Sequence, residues 1–152
     1  MARAKYNVLV IPYTIQNNII KYAIFHRSDM QVWQFIAGGG EDGETPIQSA
    51  KREAYEEAGI ACDSKYYSLE TCCSISTECF KAHRILWGED CLVITEYSFA
   101  VKVKSDTMKL SNEHTDYEWT DYETAIQKLR YDSNKVALWE VDNKIKRGLL
   151  VC

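Results

Sequence analysis

The spacing of apolar residues along the chain predicts strands that alternate with helices. Compact apolar runs rich in β-branched side chains predict strands at Asn7–Tyr13 and Ile19–Arg27, and Asn17-Asn18 between them predicts a hairpin turn. A short apolar run, Trp33–Ala37, ends at glycine. Further strands are predicted at Lys65–Thr77, Phe80–Trp87, Leu92–Val103 and Tyr117–Trp119, a loop at Ser111–Asp116, and helices at Thr124–Leu129 and Asn134–Lys146.

The strongest predicted strand is Leu92–Val103. Its odd positions, which include Val93, Tyr97 and Val103, carry apolar side chains and predict one buried face. Because strands are interleaved with helices, the pattern predicts an α/β or α+β fold with a mixed sheet. No repeat or linker divides the 152 residues, so we expect a single domain over residues 1–152.

The helix after the glycines has clear start and stop signals. Thr45 is placed to be the N-cap, Pro46 follows at the first helical position, and Gln48 completes a capping box. Gly59 stands where a helix commonly ends in a left-handed residue. An apolar stripe between these ends predicts close packing on a sheet; its members are Ile47, Ala50, Ala54 and Ala58.

Three carboxylates on this helix predict a metal site. Glu53, Glu56 and Glu57 have the spacing that brings side chains to one helical face, which we expect to point outward, roughly opposite the alanines. Such charges repel one another unless a cation lies between them, and Mg²⁺ binds carboxylates together with substrate phosphates. The glycines of residues 38–43 predict a turn that approaches a ligand closely. The alternative is a solvated helix face.

The composition and formal charge limit the kinds of molecule that the protein is expected to bind. The formal net charge of −4 provides no basic footprint, so no nucleic acid partner is expected. No apolar stretch approaches the length of a membrane span, and no membrane association is expected. The six cysteines form no C-x-x-C pair and only three histidines occur, which disfavours zinc and a disulfide framework. A cytoplasmic protein with free thiols is expected.

The segment from Gly38 to Ile60 resembles the Nudix box, G-x5-E-x7-R-E-U-x-E-E-x-G-U, in which U is apolar. Every fixed position is filled, by Gly38, Glu44, Arg52, Glu53, Glu56, Glu57 and Gly59. The resemblance implies a Nudix-like α/β/α sandwich around a mixed sheet. It also implies hydrolysis of a nucleoside diphosphate linked to another moiety, with Mg²⁺ as cofactor and Mn²⁺ as an alternative.

The resemblance also implies roles for individual residues. The metal ligands would be the Gly38 carbonyl, Glu53, Glu56 and Glu57, and the catalytic residues Glu53, Arg52 and Glu113. Gly39, Glu44, Trp33 and Arg27 are the candidates for substrate binding. The two histidines His83 and His114 are expected at the surface.

A finer resemblance lies outside the box. Trp33–Gly38, Thr95–Ala100 and Glu113-His114, followed by Tyr117 and Trp119, are similar to the dihydroneopterin triphosphate pyrophosphohydrolase branch. This implies a small phosphoanhydride substrate, either dihydroneopterin triphosphate or a dNTP, cleaved to monophosphate and pyrophosphate. The alternatives are a dinucleoside polyphosphate or nucleotide-sugar hydrolase and, from another class, a non-catalytic nucleotide-binding sensor. A monomer or a homodimer is compatible with the sequence.

Overall fold

The computed structural model describes residues 3–104, 108–111 and 114–150. Its strands are β1 (Arg3–Gln16), β2 (Ile19–Arg27), β3 (Val32–Gln34), β4 (Ile36–Glu41), β5 (Lys65–Ser76), β6 (Val93–Lys102) and β7 (His114–Thr120). Its helices are α1 (Pro46–Ala58), α2 (Lys81–Trp87), α3 (Tyr122–Lys128) and α4 (Asp132–Lys146), and a 3₁₀ turn, Thr77–Phe80, precedes α2.

The strands of the described ranges form one mixed sheet. Its main path runs β3-β2-β1-β6-β5, with β4 added to β1 and β7 added to β2. β1 and β6 are parallel, whereas the other paired strands are antiparallel. The predicted mixed sheet is therefore confirmed.

Helices cover both faces of this sheet. Val8 and Val10 of β1 face α1 and share a core cluster with its alanines. Leu9 and Ile11 of the same strand point to the other face, where α3 and α4 pack in a second cluster. A strand covered on both faces reads as a continuous apolar run, which is why β1 lacks a polar alternation. The predicted α/β/α sandwich is confirmed.

Several element predictions are confirmed in detail. The strand Ile19–Arg27 has the predicted bounds, and Asn17 and Asn18 form the hairpin turn with positive φ angles. In α1 the Thr45 hydroxyl accepts a hydrogen bond from the Gln48 backbone N–H, and the capping box is complete. Gly59 ends the helix in the left-handed conformation.

The strand predicted at Phe80–Trp87 was wrong, because most of this segment is α2. Phe80, His83 and Trp87 recur at helical spacing, and their rings lie together, with centroids 6.0 Å apart for Phe80 and Trp87 and 6.1 Å for His83 and Trp87. Packing of these three rings therefore outweighs the local apolar run.

Two further expectations need correction. Val93 and Tyr97 are exposed, while β6 buries side chains on both faces from Ser98 to Val101. Phe99 and Val101 join the core cluster under α1, and Ala100 joins the cluster under α3 and α4. The predicted loop Ser111–Asp116 is shorter than expected, since β7 begins at His114.

Candidate functional site

The glycines that precede α1 form a strand rather than the predicted turn. Gly38 and Gly39 lie in β4, paired with Val8 and Asn7 of β1. A Cβ atom on Gly38 would overlap the carboxyl group of Glu53, and one on Gly39 would overlap the guanidinium of Arg3. A side chain at either position would therefore have to displace one of these charged groups.

Arg52 joins the glycine strand to the carboxylates of α1. Its Nη2 donates to the Gly39 carbonyl at 2.7 Å, and its Nη1 lies 3.0 Å from Glu53 Oε1 and 3.3 Å from Glu56 Oε2. Its Nε and Nη2 donate to the two oxygens of Glu44 at 2.8 and 3.0 Å. One planar guanidinium thus fixes the loop, the strand and the helix relative to one another.

Glu44 is held inside this network. Besides Arg52, the Ser49 hydroxyl and the Glu41 backbone N–H donate to Glu44 Oε1, at 2.7 and 2.9 Å. The hydrogen bond from Arg52 is the main reason why the pKa of Glu44 falls to about 2. The carboxylate of Glu44 therefore anchors the loop before α1, and its assignment to substrate binding remains a prediction.

The expectation that all three helix carboxylates point outward was wrong. Glu56 is exposed, but Glu57 is buried with 4% exposure. At 100° per residue, Glu57 lies only about 20° around the helix from Ala50, which places it beside the apolar stripe. His114, expected at the surface, is also buried, and its Nε2 lies 3.6 Å from Glu57 Oε2.

The oxygen donors of this region fit a hard divalent cation in their chemistry. They are the carboxylates of Glu53, Glu56 and Glu57 and the backbone carbonyl of Gly38, a residue at which an added Cβ would meet the Glu53 carboxyl group. Within the ranges that the structure describes, no three acidic, histidine or cysteine side chains already converge as a metal cage. The guanidinium of Arg52 lies between Glu53 and Glu56 instead. Glu53 and Glu56 are thus arranged around a positive charge.

A cavity of about 760 Å³ reaches Gly38 and Gly39 from the other face of the sheet. Its lining combines cationic, polar and apolar side chains, among them Arg3, Asn7, Arg27, Gln34, Glu96 and Asn134. Arg27, a predicted substrate-binding residue, therefore lies at the cavity, where its Nε donates to Asp29 at 2.7 Å. Trp33 does not line it; its ring packs against His26 and under the Lys128 ammonium.

Arg3 is a candidate that the sequence analysis missed. Its guanidinium lies over Gly39, 4.7 Å from the centre of the Phe80 ring, and donates to Asn7 Oδ1 at 3.1 Å. Burial lowers the pKa of Arg3, and the negative charge of Glu53 opposes that effect. An isolated arginine near a chain end carries no sequence signal, since only the pairing of β1 with β4 places it at the site.

Glu113, the remaining catalytic candidate, lies outside the described residues. The residues that flank the gap contact α1: the Ser111 backbone N–H donates to the Glu57 carbonyl at 3.0 Å, and His114 lies beside the Glu57 side chain. The role of Glu113 stays a prediction.

Comparison with known proteins identifies the family to which this chain belongs. The model of the NUDIX domain family matches residues 8–139. A solved NUDIX hydrolase structure from Listeria monocytogenes is 38% identical and superposes with a TM-score of 0.88, covering 98% of this chain and 99% of that one. The chain therefore belongs to the NUDIX family. The predicted enzyme class, a Nudix hydrolase acting on phosphoric anhydride bonds, is confirmed.

Two curated relatives are similar over most of the chain. The dihydroneopterin triphosphate diphosphatase of Haemophilus influenzae is 27% identical over 133 residues, which cover 87% of this chain and 84% of that protein. The RNA pyrophosphohydrolase of a Sulfurovum species is 30% identical over 137 residues, with coverage of 86% and 85%. Both names describe pyrophosphohydrolases, the type of enzyme that the sequence predicts.

Two other expectations concern the cysteines and membrane association. The cysteines in the described part are free thiols, namely Cys62, Cys72, Cys73, Cys79 and Cys91. Among the helices of the ranges given above, none has the length and apolar character needed to cross a membrane.

Proposed function

We propose that this chain is a Mg²⁺-dependent pyrophosphohydrolase that cleaves a nucleoside triphosphate-like substrate, dihydroneopterin triphosphate or a dNTP, to monophosphate and pyrophosphate. The observation that carries the proposal is the position of strand β4. Gly39 borders the cavity beside Arg3, whereas Gly38 borders the carboxylate Glu53 on α1. A substrate that lies in the cavity would extend its phosphates across the glycines of β4, which have no side chains, toward the carboxylates of α1.

The size and charge of the cavity support a substrate of this class. Small-molecule sites in proteins have volumes of roughly 300–1,000 Å³, and the cavity of about 760 Å³ falls within that range. Arg3 and Arg27 supply cationic groups at its lining, and guanidinium groups bind phosphate oxygens in a bidentate manner. The triphosphate would therefore lie at the arginine and glycine end.

The residues of α1 would divide the chemical work. Glu53, Glu56, Glu57 and the Gly38 carbonyl would hold Mg²⁺, with Mn²⁺ as an alternative, and a bound metal ion lowers the pKa of water and neutralises developing phosphate charge. Arg52 holds Glu53 and Glu56 in position. Glu53 would orient a water whose oxygen forms a bond to phosphorus while the bridging P–O bond breaks. Pyrophosphate leaves, and Glu113 is the candidate that accepts the proton.

A second candidate is the 5′-triphosphate end of RNA, which the similarity to the Sulfurovum RNA pyrophosphohydrolase favours. The formal net charge of −4 argues against it, since RNA binding relies on basic surface. Dinucleoside polyphosphates and nucleotide sugars remain alternatives within the class. The non-catalytic sensor is disfavoured, because a sensor has no use for the complete carboxylate set.

A substrate panel tests the proposal. The purified protein is incubated with dihydroneopterin triphosphate, the four dNTPs, a dinucleoside tetraphosphate, ADP-ribose and a 5′-triphosphate RNA, with Mg²⁺ or with EDTA. We expect monophosphate and pyrophosphate in equal amounts from the first two kinds of substrate, and only with Mg²⁺. Release of inorganic phosphate without pyrophosphate, or nucleotide binding with no turnover under any divalent metal, would contradict the proposal.

A further inference from the structure

A row of polar side chains crosses the floor of the cavity. Pairing of the strands places Gly39 of β4, Asn7 of β1, Glu96 of β6 and Cys73 of β5 at one register. Paired residues on adjacent strands point to the same face of a sheet. Gly39, Asn7 and Glu96 line the cavity together, and neighbouring strands are about 4.8 Å apart, so Glu96 lies roughly 10 Å from the glycine strand.

Hydrogen bonds along this row fix which atoms donate and which accept. Arg3 can only donate, so its bond of 3.1 Å identifies the side-chain oxygen of Asn7 and turns the Asn7 amide N–H toward Glu96. That N–H donates to Glu96 Oε2 at 2.6 Å. The Cys73 thiol donates to Glu96 Oε1 at 3.8 Å.

The surroundings of Cys73 and Glu96 favour the thiol as hydrogen-bond donor and the carboxyl group as acceptor. Burial, followed by the neighbouring Glu96 charge, raises the pKa of Cys73, so its thiol keeps the proton that it donates. Burial also raises the pKa of Glu96, while the hydrogen bonds from Asn7 and Cys73 oppose that rise. With one donor on each oxygen, each oxygen still has a second lone pair that can accept.

A buried carboxylate of this kind repels phosphate and attracts hydrogen-bond donors. The cationic end of the cavity, at Arg3, suits the triphosphate, and Glu96 lies away from the strand that this arginine covers. Ile75 and Tyr131 also line the cavity and provide apolar and aromatic wall for a flat ring. The Glu96 side of the cavity is therefore the side for the heterocycle.

We propose that Glu96 selects the heterocycle of the substrate by accepting two hydrogen bonds from a ring N–H and its adjacent exocyclic amino group. This donor pair is the 2-amino-4-oxo edge that guanine and pterin rings share. Adenine and thymine rings lack two adjacent donors. The inference rests on the proposed function for the triphosphate half of the substrate, but it concerns ring recognition alone.

Binding without turnover tests this selection. Calorimetric titrations in EDTA compare dGMP with dIMP, which differs only by the absence of the 2-amino group. We expect the wild-type protein to bind dGMP about 10- to 100-fold more tightly than dIMP, because a good bidentate pair discriminates by that order. In Glu96→Gln the ratio should fall to about threefold or less, because dGMP loses two hydrogen bonds to the carboxylate and dIMP loses one, while Glu89→Gln, an exposed position away from the cavity lining, keeps the wild-type ratio.

The outcomes separate this inference from the proposed function. Equal wild-type affinities for dGMP and dIMP, absence of binding by both, or an unchanged ratio in a folded Glu96→Gln protein would overturn the inference. The wild-type comparison holds even if the variant does not fold. Selective dGMP binding without triphosphate hydrolysis would support Glu96 and refute the proposed function. Comparing turnover of dGTP with that of dihydroneopterin triphosphate then shows which of the two ring sources the site prefers.

Discussion

The guanidinium of Arg52 lies within hydrogen-bonding distance of acceptor atoms on four residues: Gly39, Glu44, Glu53 and Glu56. These contacts make Arg52 a positioning residue for two of the proposed metal ligands. A lysine, with a single ammonium group, could not reproduce this planar arrangement. Among these partners, Glu44 has a pKa that is strongly lowered, chiefly by its hydrogen bond with Arg52.

Glu44 therefore gives a prediction about pH. Its folded pKa of about 2 lies below the ordinary value of 4.5, so its contribution to the free energy of unfolding is present above about pH 4.5 and is lost as the pH falls toward 2. That contribution should be on the order of 2 kcal/mol at neutral pH. Urea unfolding of the wild type and of Glu44→Gln should differ by this amount at pH 7, and the difference should shrink toward pH 2.

Glu118→Gln is a matched control, since Glu118 forms an exposed ion pair with Lys128 at 2.6 Å. Exposed pairs contribute roughly 0–1 kcal/mol, so this variant should stay close to the wild type. A difference between wild type and Glu44→Gln that is absent at pH 7, or that grows as the pH falls, would contradict the role given to Glu44.

At the scale of the element, strand β4 separates the cavity, where the substrate would bind, from the carboxylates of α1, where hydrolysis would occur. Substitutions of its glycines should show this division. In Gly38→Ala the new Cβ displaces the Glu53 carboxyl, so kcat should fall at least tenfold with little change in KM. In Gly39→Ala it displaces the Arg3 guanidinium, so KM for the triphosphate should rise about tenfold while kcat stays within about threefold.

Gly148→Ala is the control for these kinetics. Unlike Gly38 and Gly39, Gly148 has a positive φ of +66°, and a Cβ there meets no atom within 4 Å. Its kinetic constants should match those of the wild type. If Gly38→Ala raised only KM, or if Gly39→Ala lowered only kcat, the division of the two glycines between α1 and the cavity would be refuted.

Local signals made some elements predictable from the sequence, whereas long-range packing decided others. The caps of α1 depend on residues within a few positions of each other, and the prediction at Thr45 and Gly59 is confirmed. Segment α2 was misassigned because its apolar run looks like a strand until Phe80 and Trp87 pack together beside Arg3. The small helical angle between Glu57 and Ala50 predicts that Glu57 is buried. The three carboxylates were instead expected to share one outward face, so this burial was not predicted.

At the scale of the whole molecule, the order of the strands in the sheet determines which distant residues come together, and the sequence does not predict this order. The row that contains Asn7, Cys73 and Glu96 unites residues far apart in the chain, because β6 pairs with β1 on one side and β5 on the other. No spacing rule predicts that order. The same order places the cavity on the face opposite α1, with the glycines of β4 between the cavity and the carboxylates.

The most direct test of the account uses Glu56→Gln. Glu56 is exposed and has one contact with Arg52, at 3.3 Å, so its substitution separates metal chemistry from folding better than a change at buried Glu57. Mg²⁺-dependent release of pyrophosphate from the best substrate is measured together with Mn²⁺ binding by calorimetry and thermal unfolding. We expect kcat to fall at least 100-fold and metal affinity to drop, with an unchanged melting temperature. Full Mg²⁺-dependent turnover with unaltered metal affinity would contradict the assignment of the α1 carboxylates as the catalytic metal site.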